Sequence, residues 1–182
     1  MKTSLFSALA FLAVPALFAA EHPIRPNKDS LTPASFIISS QVKTGVTCVK
    51  NDAGAYVIRM DAADAPKQIY SGIVIPIAEG DTCVLKLKVK GQGVLQFGFN
   101  TYDGKRRYIK TVCEPNTILK PDVTEYSSSF KIEKNPQEKS AFDRPNFALV
   151  TLLAKKDTKV DIEKIEYEIQ KKAAEKAVIP EF

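Results

Sequence analysis

Apolar and polar residues alternate along much of this chain with the two-residue period of a β-strand. In 82–90 (TCVLKLKVK), Cys83, Leu85, Leu87 and Val89 fall on one side and Lys86, Lys88 and Lys90 on the other, which describes a strand with one dry and one wet face. In 94–102 (VLQFGFNTY), Leu95, Phe97 and Phe99 take the dry side, while Gln96, Asn100 and Tyr102 take the wet one. Tyr126, Phe130 and Ile132 share an inner face in 125–133. The closing run, 159–169, changes phase: Val160 and Ile162 have one parity, and Ile165, Tyr167 and Ile169 the other. A bulge at Glu163-Lys164 repairs this, because one extra residue flips the faces. Further β-type runs lie at 35–40, 46–50, 55–61, 70–77, 106–113 and 147–154. Turn signals every ~8–12 residues between them predict a two-sheet β-sandwich or a barrel. No long segment keeps the helical period. The one helix candidate is the tail, 168–178, ended by Pro180.

Turn residues then suggest how the strands pair. Gly91-Gln92-Gly93 is placed as the hairpin between 82–90 and 94–102, and Asp103-Gly104 as a tight turn into 106–113, giving a three-strand meander. In that register Cys83 lies near Thr101, Thr101 opposite Arg106, Arg107 opposite Asn100 and Val94 opposite Cys113. Lys86 and Lys88 lie alongside the same wet face. Cys83 and Cys113 are then at opposite ends of the sheet, roughly 20 Å apart at the strand rise and far past the ~7 Å reach of a disulfide.

The start of the chain changes the picture of where it works. Residues 1–20 (MKTSLFSALAFLAVPALFAA) combine a basic start at Lys2, an apolar stretch and a small-residue end at Ala19-Ala20, the pattern of a cleaved secretory signal peptide. Residues 21–34, with Pro23, Pro26 and Pro33, form an extended lead-in. One domain then covers 35–169 and a charged tail covers 170–182. After residue 20 no apolar run is long enough to span a membrane, so the expectation is an exported protein, periplasmic or secreted, with no integral membrane segment. Export carries Cys48, Cys83 and Cys113 into an oxidising compartment, where one disulfide and one leftover thiol is the simplest outcome. By the register above, Cys48 belongs in the bridge, paired with Cys83 or Cys113.

Composition excludes some chemistry. The net charge of +5 falls by one when Lys2 leaves with the signal peptide, and the charges alternate in sign, as in KKDTKVDIEKIEYE, which describes a solvated surface and no nucleic-acid stripe. The single His, His22, sits in the lead-in. Ser127, Ser128 and Ser129 lack both a GxSxG context and an internal His to serve as base, so the chain is not expected to be an enzyme.

The stretch YSGIVIPIAEGDTCVLKLKVKGQGVLQFGFNTYD, then VTEYSSSFKIE, then ALVTLLAKKDTKVDIEKIEYEI resembles carbohydrate-binding modules of the galactose-binding-like jelly-roll type, the group of families 4, 9 and 22. Glu79-Gly80 matches the turn before the long strand, Gly91 and Gly93 the hairpin, and Val160, Ile162 and Ile165 the frame of the closing strand. Cys83 stands where the family carries an aromatic residue, Glu125-Tyr126 where a Trp often begins a strand, and Glu163-Lys164 where the closing strand carries two Asp. The resemblance implies a jelly-roll β-sandwich and a glycan ligand. It also implies a structural Ca²⁺, for which Asp161 and Glu163 are the candidate ligands.

On the wet face, Gln96, Asn100 and Tyr102 with Arg107 opposite make the candidate site. An aromatic ring covers the apolar face of a pyranose, while amides and a guanidinium bind its hydroxyls. Tyr102 and Tyr108, near the Asp103-Gly104 turn, are the aromatic candidates, and the parity Tyr108 shares with Phe99 favours the core for it. The competing description of this face is a plain solvated sheet. The expected function is a non-catalytic, exported binding module for glycan or polysaccharide. The alternative is a structural or assembly protein of the cell envelope that binds protein partners through the spare thiol, the lead-in and the tail.

Overall fold

The alternating runs become strands in the computed structural model, which describes residues 36–38, 44–50 and 54–172. The signal-peptide segment, the lead-in with His22, and the tail beyond residue 172 lie outside the described residues. In chain order the strands are β1 (Phe36–Ile38), β2 (Val46–Lys50), β3 (Tyr56–Asp61), β4 (Lys67–Ser71), β5 (Ile75–Pro76) and β6 (Thr82–Gln92). They continue with β7 (Val94–Asp103), β8 (Tyr108–Ile118), β9 (Thr124–Lys131), β10 (Pro145–Ala154) and β11 (Lys159–Gln170). A one-turn 3-10 helix, Ala141–Asp143, precedes β10. The helix proposed from residue 168 gives way to strand up to Gln170, because Ile165 and Ile169 continue the two-residue alternation along β6.

Two antiparallel sheets result. The front sheet has the order β1-β4-β10-β7-β8, with β5 also paired to β10; the back sheet has the order β2-β3-β11-β6-β9. The dry sides of both sheets meet in one core. Leu95, Phe97 and Phe99 of β7 and Val150 and Leu152 of β10 face Leu85, Leu87 and Val89 of β6 and Ile162 of β11, all essentially without solvent contact. Phe130 of β9 joins the layers edge-on, 5.8 Å from Phe99 and 6.4 Å from Phe97 between ring centroids. The bulge in β11 is present: the ladder with β6 slips between Ile162 and Lys164, which lets Val160, Ile162 and Ile165 all reach the core.

The expected meander is corrected. β6 and β7 are not a hairpin but belong to different sheets, and Gly91–Gly93 is the corner where the chain crosses from back to front. Two neighbours force glycine there. A Cβ on Gly91 would stand 2.2 Å from the Lys159 carbonyl oxygen, and Gly93 has φ +100°, with Thr158 Oγ1 2.5 Å from its Cβ position. Thr158, fully buried, accepts the Val94 N–H at 2.9 Å and so ties the β10–β11 turn over this corner. Lys86 and Lys88 therefore lie on the back sheet, away from the face carrying Asn100.

The β7–β8 hairpin exists but is wider than a two-residue turn. Tyr102 pairs with Tyr108, Thr101 with Lys110 and Gly98 with Cys113, with an irregularity between Thr101 and Tyr102. The irregularity flips the faces at the start of β8. Tyr108 consequently leaves the core and is 58% exposed on the outer surface.

Candidate functional site

Cross-strand register stacks the outward residues of β10, β7 and β8 into rows on the outer face of the front sheet. The first row is Phe147, Tyr102 and Tyr108; the second is Leu149, Asn100 and Thr111. The third is Tyr70 of β4 with Thr151, Gly98 and Cys113; the fourth is Gln68 of β4 with Leu153 and Gln96. Aromatic rings thus gather at one end and amides, hydroxyls and a phenol fill the rest. Among the described residues no second layer of strands covers this face, yet Asn100 and Thr151 are only 5% and 1% exposed, so the taller side chains around them cover them and make the surface themselves.

Hydrogen bonds hold this face in order. Thr111 Oγ1 donates to Asn100 Oδ1 at 2.7 Å, and the Tyr108 hydroxyl lies 2.9 Å from Thr111 Oγ1, completing a chain of three polar groups. Gln68 Nε2 donates to Thr151 Oγ1 at 3.1 Å. The Tyr102 ring is stacked on Phe147 with centroids 5.1 Å apart, and Tyr108 meets it edge-to-face at 5.9 Å. Burial raises the pKa of the Tyr102 phenol above its ordinary value, while a hydrogen bond from Asn100 works the other way. The face therefore offers aromatic surface with amide and hydroxyl groups beside it.

Of the residues expected to form the site, Gln96, Asn100 and Tyr102 do share this face, with Asn100 buried in it. Arg107 does not. The wider turn puts Thr111 opposite Asn100 and leaves Arg107 at the end of the sandwich, where it clamps two acids: Nε donates to Asp103 Oδ2 at 2.7 Å, and a terminal nitrogen to Asp143 Oδ1 at 2.5 Å. The Asp143 carboxyl is held well below the usual range by the Lys139 N–H and the Ser140 hydroxyl, with Lys105 and Arg107 adding to them. Burial would raise Asp103, but the Arg107 N–H and guanidinium and the Lys105 N–H outweigh it, and the net shift is downward. This cluster ties the β7–β8 turn to the loop before β10.

Sequence reasoning missed Tyr70, Thr111, Thr151 and Phe147, and gave Tyr108 to the core. The alternation in KQIYS marks Tyr70 as outward-facing. Phe147 and Thr151 sit in FALVTLLA, whose almost unbroken apolar run hides which side is wet. Thr111 and Tyr108 were displaced by the register of the turn.

The candidate calcium ligands are committed elsewhere. Both oxygens of Asp161 accept from Arg59, each at 2.8 Å, and Glu163 pairs with Lys88 at 3.4 Å. Among the described residues no three His, Cys, Asp or Glu side chains converge. These residues do not fit a hard cation, which needs several free oxygens aimed at one point.

The expected disulfide is likewise corrected: Cys48, Cys83 and Cys113 are all unpaired. Following the ladder from Cys48 through Ile58 and Ile162 to Val89 places Cys83 roughly 20 Å along the strands and about 14 Å across them. Cys113 is on β8, which touches β9, whereas Cys48 is on β2 at the other edge of the back sheet. Neither pair comes near bonding distance. Burial, with the Asp81 charge adding to it, pushes the Cys83 thiol up to about 11 and keeps it protonated.

At the level of sequence, no family profile and no curated protein matches the chain. Solved structures share its fold. The CBM22-1 xylan-binding domain from Paenibacillus barcinonensis Xyn10C superposes with a TM-score of 0.52 at 12% identity, over 85% of this chain and 95% of that one. A Stig cyclase, Fisc, from Fischerella sp. TAU superposes with 0.52 at 10% identity, over 86% and 91%. The tailspike protein 4 enzymatically active domain of bacteriophage CBA120 reaches 0.55 at 12% identity, but this chain covers only 19% of it. The chain is thus similar in fold both to carbohydrate-binding modules and to enzymes, a likeness that shows the fold alone.

Proposed function

We propose that this chain is an exported, non-catalytic carbohydrate-binding module whose sugar site is the outer face of the front sheet. The observation that carries the reading is the company of residues on this face: a row of three aromatic rings beside Thr111, Gln96 and Gln68, held in place by Asn100 and Thr151 buried among them. Sugars present alternating C–H and O–H surfaces, and aromatic faces and planar amides match them in turn. The xylan-binding domain similar to this chain in fold supports the choice of ligand class. The non-catalytic reading is supported by what the rows contain. The titratable groups there are the phenols of Tyr70, Tyr102 and Tyr108 and the Cys113 thiol, and burial raises both Tyr102 and Cys113. Raised in this way, the Tyr102 phenol and the Cys113 thiol are poor general acids and bases near neutral pH.

Affinity electrophoresis of the protein through gels containing soluble xylan, β-glucan or galactan tests the reading. Retardation in at least one gel, lost on Asn100→Ala without a change in circular dichroism, is the expected result. Free migration in every gel would remove the proposal. Turnover of any of these polysaccharides would replace it with an enzymatic one.

A further inference from the structure

The end of the sandwich remote from the Gly91–Gly93 corner sorts its charges by depth. Four runs meet there: 77–81 before β6, the β7–β8 turn at 103–107, the crossing 132–144 from β9 to β10, and 170–172 closing β11. Four of their acids lie inside, the side chains of Asp81, Asp103, Asp143 and Glu138 being 2–10% exposed. The cations paired with them, Lys171, Arg107, Lys105 and Arg144, stand outside at 51–61% exposure. Arg106, Lys134, Lys139 and Lys172 are exposed alongside, whereas Glu79 and Glu133 are the only exposed acids among the described residues of these runs. At the corner end the order reverses at Lys67, whose side chain is 6% exposed beneath an Asp64 that is 71% exposed. Pairs stacked acid-inward leave a cationic outer layer, because the nearer charge dominates what an approaching body meets.

Phe142, in the one-turn 3-10 helix of this end, is 68% exposed. The loop around it is firmly held. Asp143 accepts from the Lys139 N–H at 3.1 Å, the Ser140 hydroxyl at 3.0 Å and Lys105 Nζ at 3.2 Å. Asn135 Nδ2 donates to the Asp143 carbonyl at 2.6 Å, and the Gly104 N–H to the Phe142 carbonyl at 3.0 Å. These polar groups turn inward, and the large apolar ring is left outward. In the adjoining turn Arg106 sits in left-handed backbone, φ 63°, where a glycine is unstrained and an arginine is not. The chain thus keeps a cation at a place where its backbone favours none.

We propose that this end of the molecule docks on a lipid bilayer that carries anionic headgroups. Phe142 enters the interface, and Arg106, Lys139 and the outer members of the four pairs face the headgroups. Charge complementarity selects an anionic surface. The ring selects a bilayer over a soluble polyanion, since an aromatic side chain gains by leaving water for the headgroup boundary. One apolar insertion together with a basic patch gives reversible binding that neither provides alone. The inference is independent of the sugar site: docking by the end leaves the outer faces of both sheets in water.

The test uses the protein without residues 1–20, whose apolar stretch would bind bilayers by itself. Its partners are vesicles of phosphatidylcholine, with and without phosphatidylglycerol. Co-sedimentation is expected with the mixed vesicles only, and high salt should release it. Arg106→Gly removes a charge and relieves the backbone, and should weaken binding about fivefold with no loss of fold. Phe142→Ser should weaken it by about fivefold or more. Lys156→Ser, an exposed cation at the corner end, should leave it unchanged. The chain has no Trp, so Phe142→Trp places a single fluorophore at the tip. Its emission should move to the blue on mixed vesicles and stay in place with soluble heparin. Failure of the unaltered protein to co-sediment with the mixed vesicles overturns the proposal, as does equal binding to phosphatidylcholine alone. Binding with an unmoved Phe142→Trp emission, or binding that Arg106→Gly and Phe142→Ser leave intact, overturns the placement at this end. Heparin binding without vesicle binding replaces the bilayer with a soluble polyanion.

Discussion

Single residues decide what the front face can do, and some act without touching a ligand. Gly98 is one. A Cβ there would lie 2.1 Å from the Val112 carbonyl oxygen and 2.6 Å from Cys113 Cα, contacts with backbone that no side-chain rotation relieves. Gly98→Ala should therefore cost about 1–3 kcal/mol of stability, measured by urea denaturation, as overpacking does elsewhere. Asp143 acts at the end of the sandwich. Its folded-state pKa is depressed, so its stabilising contribution is complete above the unfolded value near ~3.9 and is lost as pH falls through the folded one. Thermal scans should show the protein losing stability progressively below about pH 4. Asp143→Asn should be less stable at neutral pH and lose less on acidification. A neutral-pH midpoint unchanged by Asp143→Asn would contradict the role given to the clamp. The fate of Arg107 belongs to the same scale. Its type and its neighbourhood in sequence point to sugar hydroxyls, but a turn wider than Asp-Gly normally makes puts it beside two carboxylates instead.

Elements rest on a different balance. Phe130 is the ring that both Phe97 and Phe99 meet across the sandwich. Phe130→Ala should cost about 3–5 kcal/mol, read as a drop in denaturation midpoint without a change in slope. Glu163 is the extra residue of β11. Its deletion would leave Ile162 opposite Val89 and Ile165 opposite Leu87 in an unbroken ladder, so Val160, Ile162 and Ile165 should all stay in the core. A retained cooperative transition in urea is the expected result for the deletion, whereas one more residue inserted at this point should turn the remainder of the strand over and abolish it. The bulge was legible beforehand because the apolar parity visibly changes within one run. The strands themselves were legible too: β2 matches its expected span, and β6, β7 and β11 grow only by a residue or two. Pairing was not. Gly91–Gly93 has the composition of a hairpin turn, and nothing local separates a turn within one sheet from a corner between two. That difference is made by Thr158 and Lys159, more than sixty residues away. The same non-local choice put β10 beside Asn100 in place of β6, and so hid Phe147 and Thr151, while the width of the β7–β8 turn hid Thr111.

At the scale of the whole molecule, the two outer surfaces differ in kind. The back sheet shows a ladder of opposite charges, such as Lys86 beside Glu166 and Lys88 beside Glu125, which describes a solvated face. The front sheet shows rings, amides and hydroxyls. Its stability is expected to come from the shared core with no covalent staple. Titration of thiols in denaturant should find all three cysteines free, with Cys48 and Cys83 slow to react while the protein is folded. A count lower by two would mean that two of them bond after all. The asymmetry between the faces also gives the most direct test of the central claim, which is amide chemical-shift mapping during titration with the polysaccharide fragment that binds. The shifts are predicted at Gly98, Asn100, Tyr108, Thr111 and Thr151, with Lys86, Ser127 and Glu166 unmoved. Shifts concentrated on Lys86, Ser127 and Glu166, with the front face silent, would contradict it.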